Sequence, residues 1–133
     1  MPVARAAPSR EDPGIVKIAA DVLVAFVALL HVWFLVLEMF LWTTPYGRRV
    51  FGTTAEVAAS SRTLAANQGL YNGFLATGLL WGLLTAASAI TIFFLACVVV
   101  AGVFGAATAN RRILFVQALP AAIALALVLL TRH

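Results

Sequence analysis

The chain has 133 residues, of which 63% are hydrophobic and 11% are charged, and its formal net charge is +4. Soluble globular domains average about 25% charged residues, so this composition argues against a soluble fold that must cover its surface with polar side chains. The basic residues stand singly or in pairs between apolar runs, as in membrane-protein loops, and we expect no nucleic-acid partner. The single cysteine, Cys97, excludes a disulfide within the chain.

The chain divides into a polar tail and one apolar domain. Residues 1–13 contain three prolines and charges of both signs, and we predict a disordered tail. Residues 14–133 contain four apolar runs, at about 15–42, 64–84, 90–108 and 113–130. A helix that crosses a bilayer needs about 20 residues, so the sequence predicts an all-α fold, a polytopic membrane protein with a bundle of four transmembrane helices.

The first run contains two ionisable residues near its middle and end, His31 and Glu38. They are seven residues apart, which places both on one helix face, about 10 Å apart along the axis. Glu38 could instead pair with an arginine of the following loop, and His31 could be a neutral imidazole bonded to a neighbouring helix. We expect the run to end before Pro45, because proline disfavours helix at the preceding residue.

The segment 43–63, called loop one here, is the longest connection between runs. Thr53 and Glu56 have the spacing of a capping box and predict a short helix after them. Loops one and three hold five arginines against four basic residues on the other side. This small excess predicts that both loops are cytoplasmic.

Polar residues of the second and fourth runs are predicted to meet those of the first. Antiparallel pairing would bring the polar start of the second run level with Glu38, and Gln117 of the fourth run lies towards the same face. Pro120 should kink the fourth helix. The predicted ligand-binding residues are Asn67, Gln68, Tyr71, Asn72, Gln117 and Trp42, and the predicted rim is Arg48, Arg49, Arg111 and Arg112.

A structural interpretation of the same residues stays open. The amides could only hold helices together, and Gln117 could satisfy the carbonyl that Pro120 leaves unpaired. The chain has no phosphate-binding glycine loop, no CxxC and no HExxH pattern. We therefore predict no metal site and no cofactor.

Several stretches together resemble a known family. They are HVWFLVLEMFLWTTP at 31–45, GRRVFG at 47–52, LAANQGLYNGFL at 64–75, CVVVAGVFGAAT at 97–108, RRIL at 111–114 and QALP at 117–120. The chain from about Gly14 to Leu130 resembles the small four-span bacterial membrane proteins that are catalogued only as a domain of unknown function. This resemblance implies the four-span fold and no established activity, although some relatives carry an epimerase-like label.

Three classes of function remain open. The first is binding of a small lipophilic or amphipathic molecule in a polar pocket within the membrane. The second is a membrane isomerase or epimerase in which Glu38 or His31 transfers a proton. The third is an oligomeric transporter or an accessory subunit. All three predict a multi-pass protein of the cell membrane, in a bacterium the inner membrane, with membrane lipid as a partner. A small lipophilic ligand and a second copy of the chain are the further candidate partners.

Overall fold

The computed structural model describes residues 13–132, and over this range the chain is helical and contains no strand. The predicted tail lies outside the described residues except for Pro13, which begins the first helix. The helices are α1 (Pro13–Met39), α2 (Pro45–Phe51), α3 (Ala55–Ser60), α4 (Arg62–Leu84), α5 (Ser88–Thr108) and α6 (Leu119–Thr131), and a π-helical turn (Leu114–Ala118) leads into α6. The all-α prediction is confirmed.

The four long helices form an antiparallel bundle. Helix α1 packs against α4 and α6, and α5 packs against the same two helices and the π-helical turn. The backbone of α4 approaches α1 at Gly69, where an added Cβ would lie 3.1 Å from the Cβ of Glu38. The end of α1, loop one, the start of α4 and the connection before the π-helical turn therefore lie at one end of the bundle, called the loop-one end here.

Three of these helices are long and apolar enough to cross a membrane, namely Gly14–Met39, Ser88–Thr108 and Leu114–Thr131. Helix α4 has 23 residues and packs along α1, but its first turns carry Arg62 and several amides. Three membrane-capable helices are thus established by length and composition. The fourth span stays a prediction.

The bundle is apolar both inside and outside. Its core contains Leu79, Leu95, Val24, Val27 and Val98, all without solvent exposure. Large apolar side chains also cover its outer surface, and many of them, from Ile15 to Leu130, are more than half exposed. Such a surface is stable against acyl chains and unfavourable in water.

Loop one contains a helix that the sequence analysis does not predict. Helix α1 ends at Met39, before Pro45 as expected, and Pro45 occupies the first turn of α2, where its missing N–H costs nothing. The hydroxyl of Thr44 accepts a hydrogen bond from the backbone N–H of Gly47 at 3.1 Å. The helix α3 that follows is present, and its N-cap is Thr54, not Thr53.

The fourth apolar run contains a π-helical turn immediately before its proline. The backbone N–H of Leu119 donates to the carbonyl of Leu114, five residues earlier. Pro120 follows as the second residue of α6 and has no N–H to donate. The side chain of Gln117 makes no hydrogen bond to a carbonyl within the described residues, so the helix adapts to the proline through its backbone.

Candidate functional site

Two of the predicted site residues meet between α1 and α4. Asn72 of α4 is buried, and its Nδ2 donates a hydrogen bond of 2.6 Å to Oε2 of Glu38 of α1. The helices can approach this closely because Gly69 has no side chain. A Cβ at that position would lie 2.6 Å from Cγ of Met39.

The carboxyl group of Glu38 has one oxygen engaged in this way. Within the described residues, no arginine of loop one forms an ion pair with this carboxyl group. The ion pair in this range joins Lys17 and Asp21, at the opposite end of the bundle. The second oxygen of Glu38 has no hydrogen-bond partner in the part of the chain that the structure describes. The Glu38 side chain is therefore held by an amide and remains able to accept a further donor.

His31 is fully buried within the bundle. Its Nδ1 lies 2.8 Å from the carbonyl oxygen of Val27. A carbonyl can only accept, so Nδ1 carries the hydrogen, and in the neutral imidazole Nε2 then carries a lone pair. That Nε2 is buried and has no partner among the residues described. The imidazole thus presents an unused hydrogen-bond acceptor away from its own helix.

The ring of Phe34 packs edge-on against the His31 imidazole, with 5.5 Å between ring centroids. Phe34 also lines a groove of about 450 Å³ at the loop-one end of the bundle. We call this the Phe34 groove. Its lining consists of Phe34 from α1, Val50 and Phe51 from α2, and Ala109, Asn110, Arg112, Ile113, Val116 and Gln117 from the fourth run and the connection before it.

The Phe34 groove contains two of the predicted site residues, Gln117 and Arg112. Trp42 lies behind its wall: the indole ring packs against Phe51 with centroids 4.7 Å apart, and Nε1 donates to Oγ of Ser61 at 3.0 Å. Trp42 therefore supports the groove through Phe51 and has its own polar atom satisfied within the protein.

The remaining predicted rim arginines occupy different places. Arg48 and Arg49 line a separate cavity of about 350 Å³ in loop one, together with Thr53. Arg48 is half-buried, and its Nε is buried without a partner within the described range. Arg111 is exposed.

Three predicted residues of α4 point away from the bundle. Asn67, Gln68 and Tyr71 are exposed, and Tyr71 contacts Phe74 of its own helix. The structure therefore brings Glu38 together with Asn72, and Gln117 together with Arg112, but it does not bring Asn67 or Gln68 to either pair. A ligand-binding role for the exposed amides stays a prediction.

Sequence reasoning did not select the apolar half of the groove. Phe34 follows His31 by three residues, a spacing that places both on one side of a helix, yet a phenylalanine in an apolar run carries no distinguishing signal. Val50 and Phe51 were missed because α2 was not predicted. Thr44 followed by Pro45, an N-cap residue before a proline, was the available signal for that helix.

Comparison with known proteins gives a family and no activity. A family model described as "Protein of unknown function (DUF1304)" matches residues 25–129. The chain is 30% identical over 100 residues to a protein of Lactococcus lactis subsp. lactis (strain IL1403) described as "Uncharacterized protein YpaA", a match that covers 72% of this chain and 84% of that protein. No solved structure matches. The chain belongs to the DUF1304 family of proteins of unknown function.

Proposed function

We propose that this protein binds an anionic amphipathic molecule in the Phe34 groove. One observation carries the proposal: a single groove combines apolar walls with a cationic group and amides. Its volume of about 450 Å³ lies within the roughly 300–1,000 Å³ of small-molecule sites.

The two parts of the groove suit the two parts of an amphiphile. Phe34, Ile113 and Val116 offer an apolar surface to a hydrocarbon chain, and burial of apolar surface contributes about 25 cal/mol per Å². Arg112 offers a guanidinium group, which binds carboxylates and phosphates through two parallel hydrogen bonds. Asn110 and Gln117 supply further donors.

The position of the groove also supports the proposal. Asn110 and Arg112 belong to the connection after α5, so they lie just beyond a helix that is able to span a membrane. Phe34 lies more than a turn inside α1. A molecule bound with its charge at Arg112 and its chain towards Phe34 would have the orientation of a membrane lipid.

The proposal can be tested with cis-parinaric acid, a fluorescent polyene carboxylic acid, added to the protein in phosphatidylcholine nanodiscs. Energy transfer from tryptophan to the probe should saturate as the probe concentration rises. It should also exceed the transfer that results when the probe only partitions into the lipid. Arg112→Gln should weaken binding about 5- to 30-fold, which corresponds to about 1–2 kcal/mol. Val116→Phe should weaken binding by filling part of the groove without adding a tryptophan donor.

Two controls separate the charge from the groove. The methyl ester of the probe should bind Arg112→Gln and the unchanged protein equally, because the ester has no charge to lose. Arg132→Gln, which removes an exposed arginine after the last helix at the opposite end, should leave binding unchanged. Non-saturable transfer, or binding of the probe by Val116→Phe as tight as by the unchanged protein, would contradict the proposal.

A membrane isomerase or epimerase is the second candidate. It is favoured by the second oxygen of Glu38 and by Nε2 of His31, neither of which has a hydrogen-bond partner among the residues that the structure describes, since either atom could take a proton from a substrate. Proton exchange at carbon would incorporate deuterium from D2O into an amphiphile recovered from the protein. Incorporation that continues undiminished in Glu38→Gln and in His31→Leu would remove both residues from such a mechanism.

A further inference from the structure

The buried imidazole of His31 and the Phe34 groove are separated by one aromatic ring. The Phe34 side chain lines the groove and packs edge-on against His31. Since the two residues are three positions apart, the imidazole lies about 4.5 Å deeper along the helix axis than Phe34. Rotation of one side chain would therefore connect the groove with the imidazole.

The Nε2 atom of His31 is costly in its present state. A buried acceptor without a partner gives up its hydrogen bond to water and gains none in return, and ionisable residues inside apolar spans often mark functional positions. An apolar side chain of similar size would pack here without this cost. A donor supplied from outside the protein would remove it.

The tautomer of His31 determines what that donor can be. Nδ1 is committed to the carbonyl of Val27, so neutral Nε2 can only accept a hydrogen bond. A carboxylate, an ester carbonyl or an ether oxygen could not pair with it. A hydroxyl or an amide N–H could.

We propose that the binding site extends past Phe34 to His31, and that Nε2 of His31 accepts a hydrogen bond from a hydroxyl group on the chain of the bound amphiphile. This rests on the proposed function. The ligand class is then an anionic amphiphile with a hydroxyl some carbons away from its charged group, the charge bound at Arg112 and the hydroxyl at His31. His31 acts as the residue that selects this class.

The first test measures selectivity by competition. Monohydroxystearic acids with the hydroxyl at successive chain positions compete against cis-parinaric acid in the nanodisc assay, with stearic acid as the reference. One hydroxyl position should compete at about a 5- to 10-fold lower concentration than stearic acid, the effect of one buried hydrogen bond. His31→Leu should remove that preference and leave stearic acid competition unchanged.

A second test measures access to the imidazole without any ligand. The chain has two histidines, so His133→Gln leaves His31 as the sole histidine, and its reaction with diethyl pyrocarbonate is followed by mass spectrometry of the peptide that contains it. We expect His31 to resist modification in that background and to react in the Phe34→Ala variant. Phe93→Ala, which removes an exposed phenylalanine of α5, is the matched control and should leave His31 unreactive.

The outcomes distinguish this inference from the proposed function. If cis-parinaric acid binds but all hydroxystearic acids compete like stearic acid, the extension to His31 is wrong and the groove stands. If His31 stays unreactive in Phe34→Ala, the ring is not the barrier and the extension is again wrong. If cis-parinaric acid does not bind saturably, both proposals are wrong.

Discussion

Asn72 of α4 donates a 2.6 Å hydrogen bond to Glu38 of α1, and this bond joins two helices that Gly69 allows into close contact. The acceptor is a carboxyl oxygen near the end of a span, and the donor is a buried amide. If the helices keep their positions, removal of the Asn72 amide therefore leaves the Glu38 carboxyl group in an apolar surrounding without the hydrogen bond it has now.

The substitution Asn72→Leu should destabilise the bundle by about 1–3 kcal/mol, because it leaves the Glu38 carboxyl group unsatisfied. Unfolding in mixed micelles with increasing denaturing detergent measures the change. Asn67→Leu, at an exposed amide of the same helix, should change stability by less than about 0.5 kcal/mol. Equal effects of the two substitutions would show that the Asn72–Glu38 bond does not stabilise the fold.

The pair Gly102→Ala and Gly105→Ala should behave differently although both lie on α5. A Cβ at Gly102 would lie 2.9 Å from the backbone nitrogen of Ala118, whereas at Gly105 the nearest atom, Cγ2 of Ile113, would be 3.3 Å away. Gly102→Ala should cost about 1–3 kcal/mol because backbone must move.

Gly105→Ala should be close to neutral, since alanine favours helix over glycine by about 1 kcal/mol and a side-chain methyl can shift. The same detergent titration compares both variants. A loss of stability as large in Gly105→Ala as in Gly102→Ala would contradict the close approach of α5 and the π-helical turn at Ala118.

The conformation of loop one should depend on the hydrogen bond that Trp42 Nε1 donates to Ser61 Oγ. Ser61→Ala removes the acceptor and should loosen the connection between α1 and α4, at a cost of about 0.5–1.5 kcal/mol. The tryptophan emission should change and limited proteolysis within 43–61 should become faster. Ser60→Ala is the matched control, because the Ser60 hydroxyl donates to the carbonyl of Val57 within its own helix; a change as large in the control would count against the role of Trp42.

The span prediction for α4 can be tested by labelling with a membrane-impermeant maleimide. In a Cys97→Ser background, Thr43→Cys and Asn110→Cys should be labelled from one side of the membrane and Thr85→Cys from the other, since these three positions are exposed in the connections between long helices. We expect the first two on the cytoplasmic side. Labelling of Thr43→Cys and Thr85→Cys from the same side would show that α4 does not cross.

The long helices could be predicted from the sequence because apolar runs of this length have few alternatives. The meeting of Glu38 and Asn72 could also be anticipated, since antiparallel neighbours place the end of one helix beside the start of the next. These predictions needed only run length and helical spacing.

The groove could not be predicted in the same way. The groove depends on which face of α1 carries Phe34 towards the π-helical turn. It also depends on α2, which begins at Pro45, a residue that the sequence analysis interprets only as the end of a helix.

Asn67 and Gln68 show the opposite error, since both were predicted to share a pocket with Asn72 and both are exposed. Asn67 precedes Asn72 by five residues, which is about 140° around the helix. Gln68 is one turn before Asn72 and lies at the edge of the face that Gly69 and Asn72 turn towards α1.

The π-helical turn at Leu114–Ala118 makes the lining of the groove dependent on the number of residues in this turn. Such a turn fits one more residue into the helix than an α-helical turn does, so a single-residue deletion there would restore an uninterrupted α-helix, while Arg112 before it and Ala121, Ala124 and Val128 after it keep their orientations. The deletion would shorten the stretch that contributes Val116 and Gln117 to the groove. Single-residue deletions at this turn are therefore expected to alter ligand preference while sparing the bundle itself.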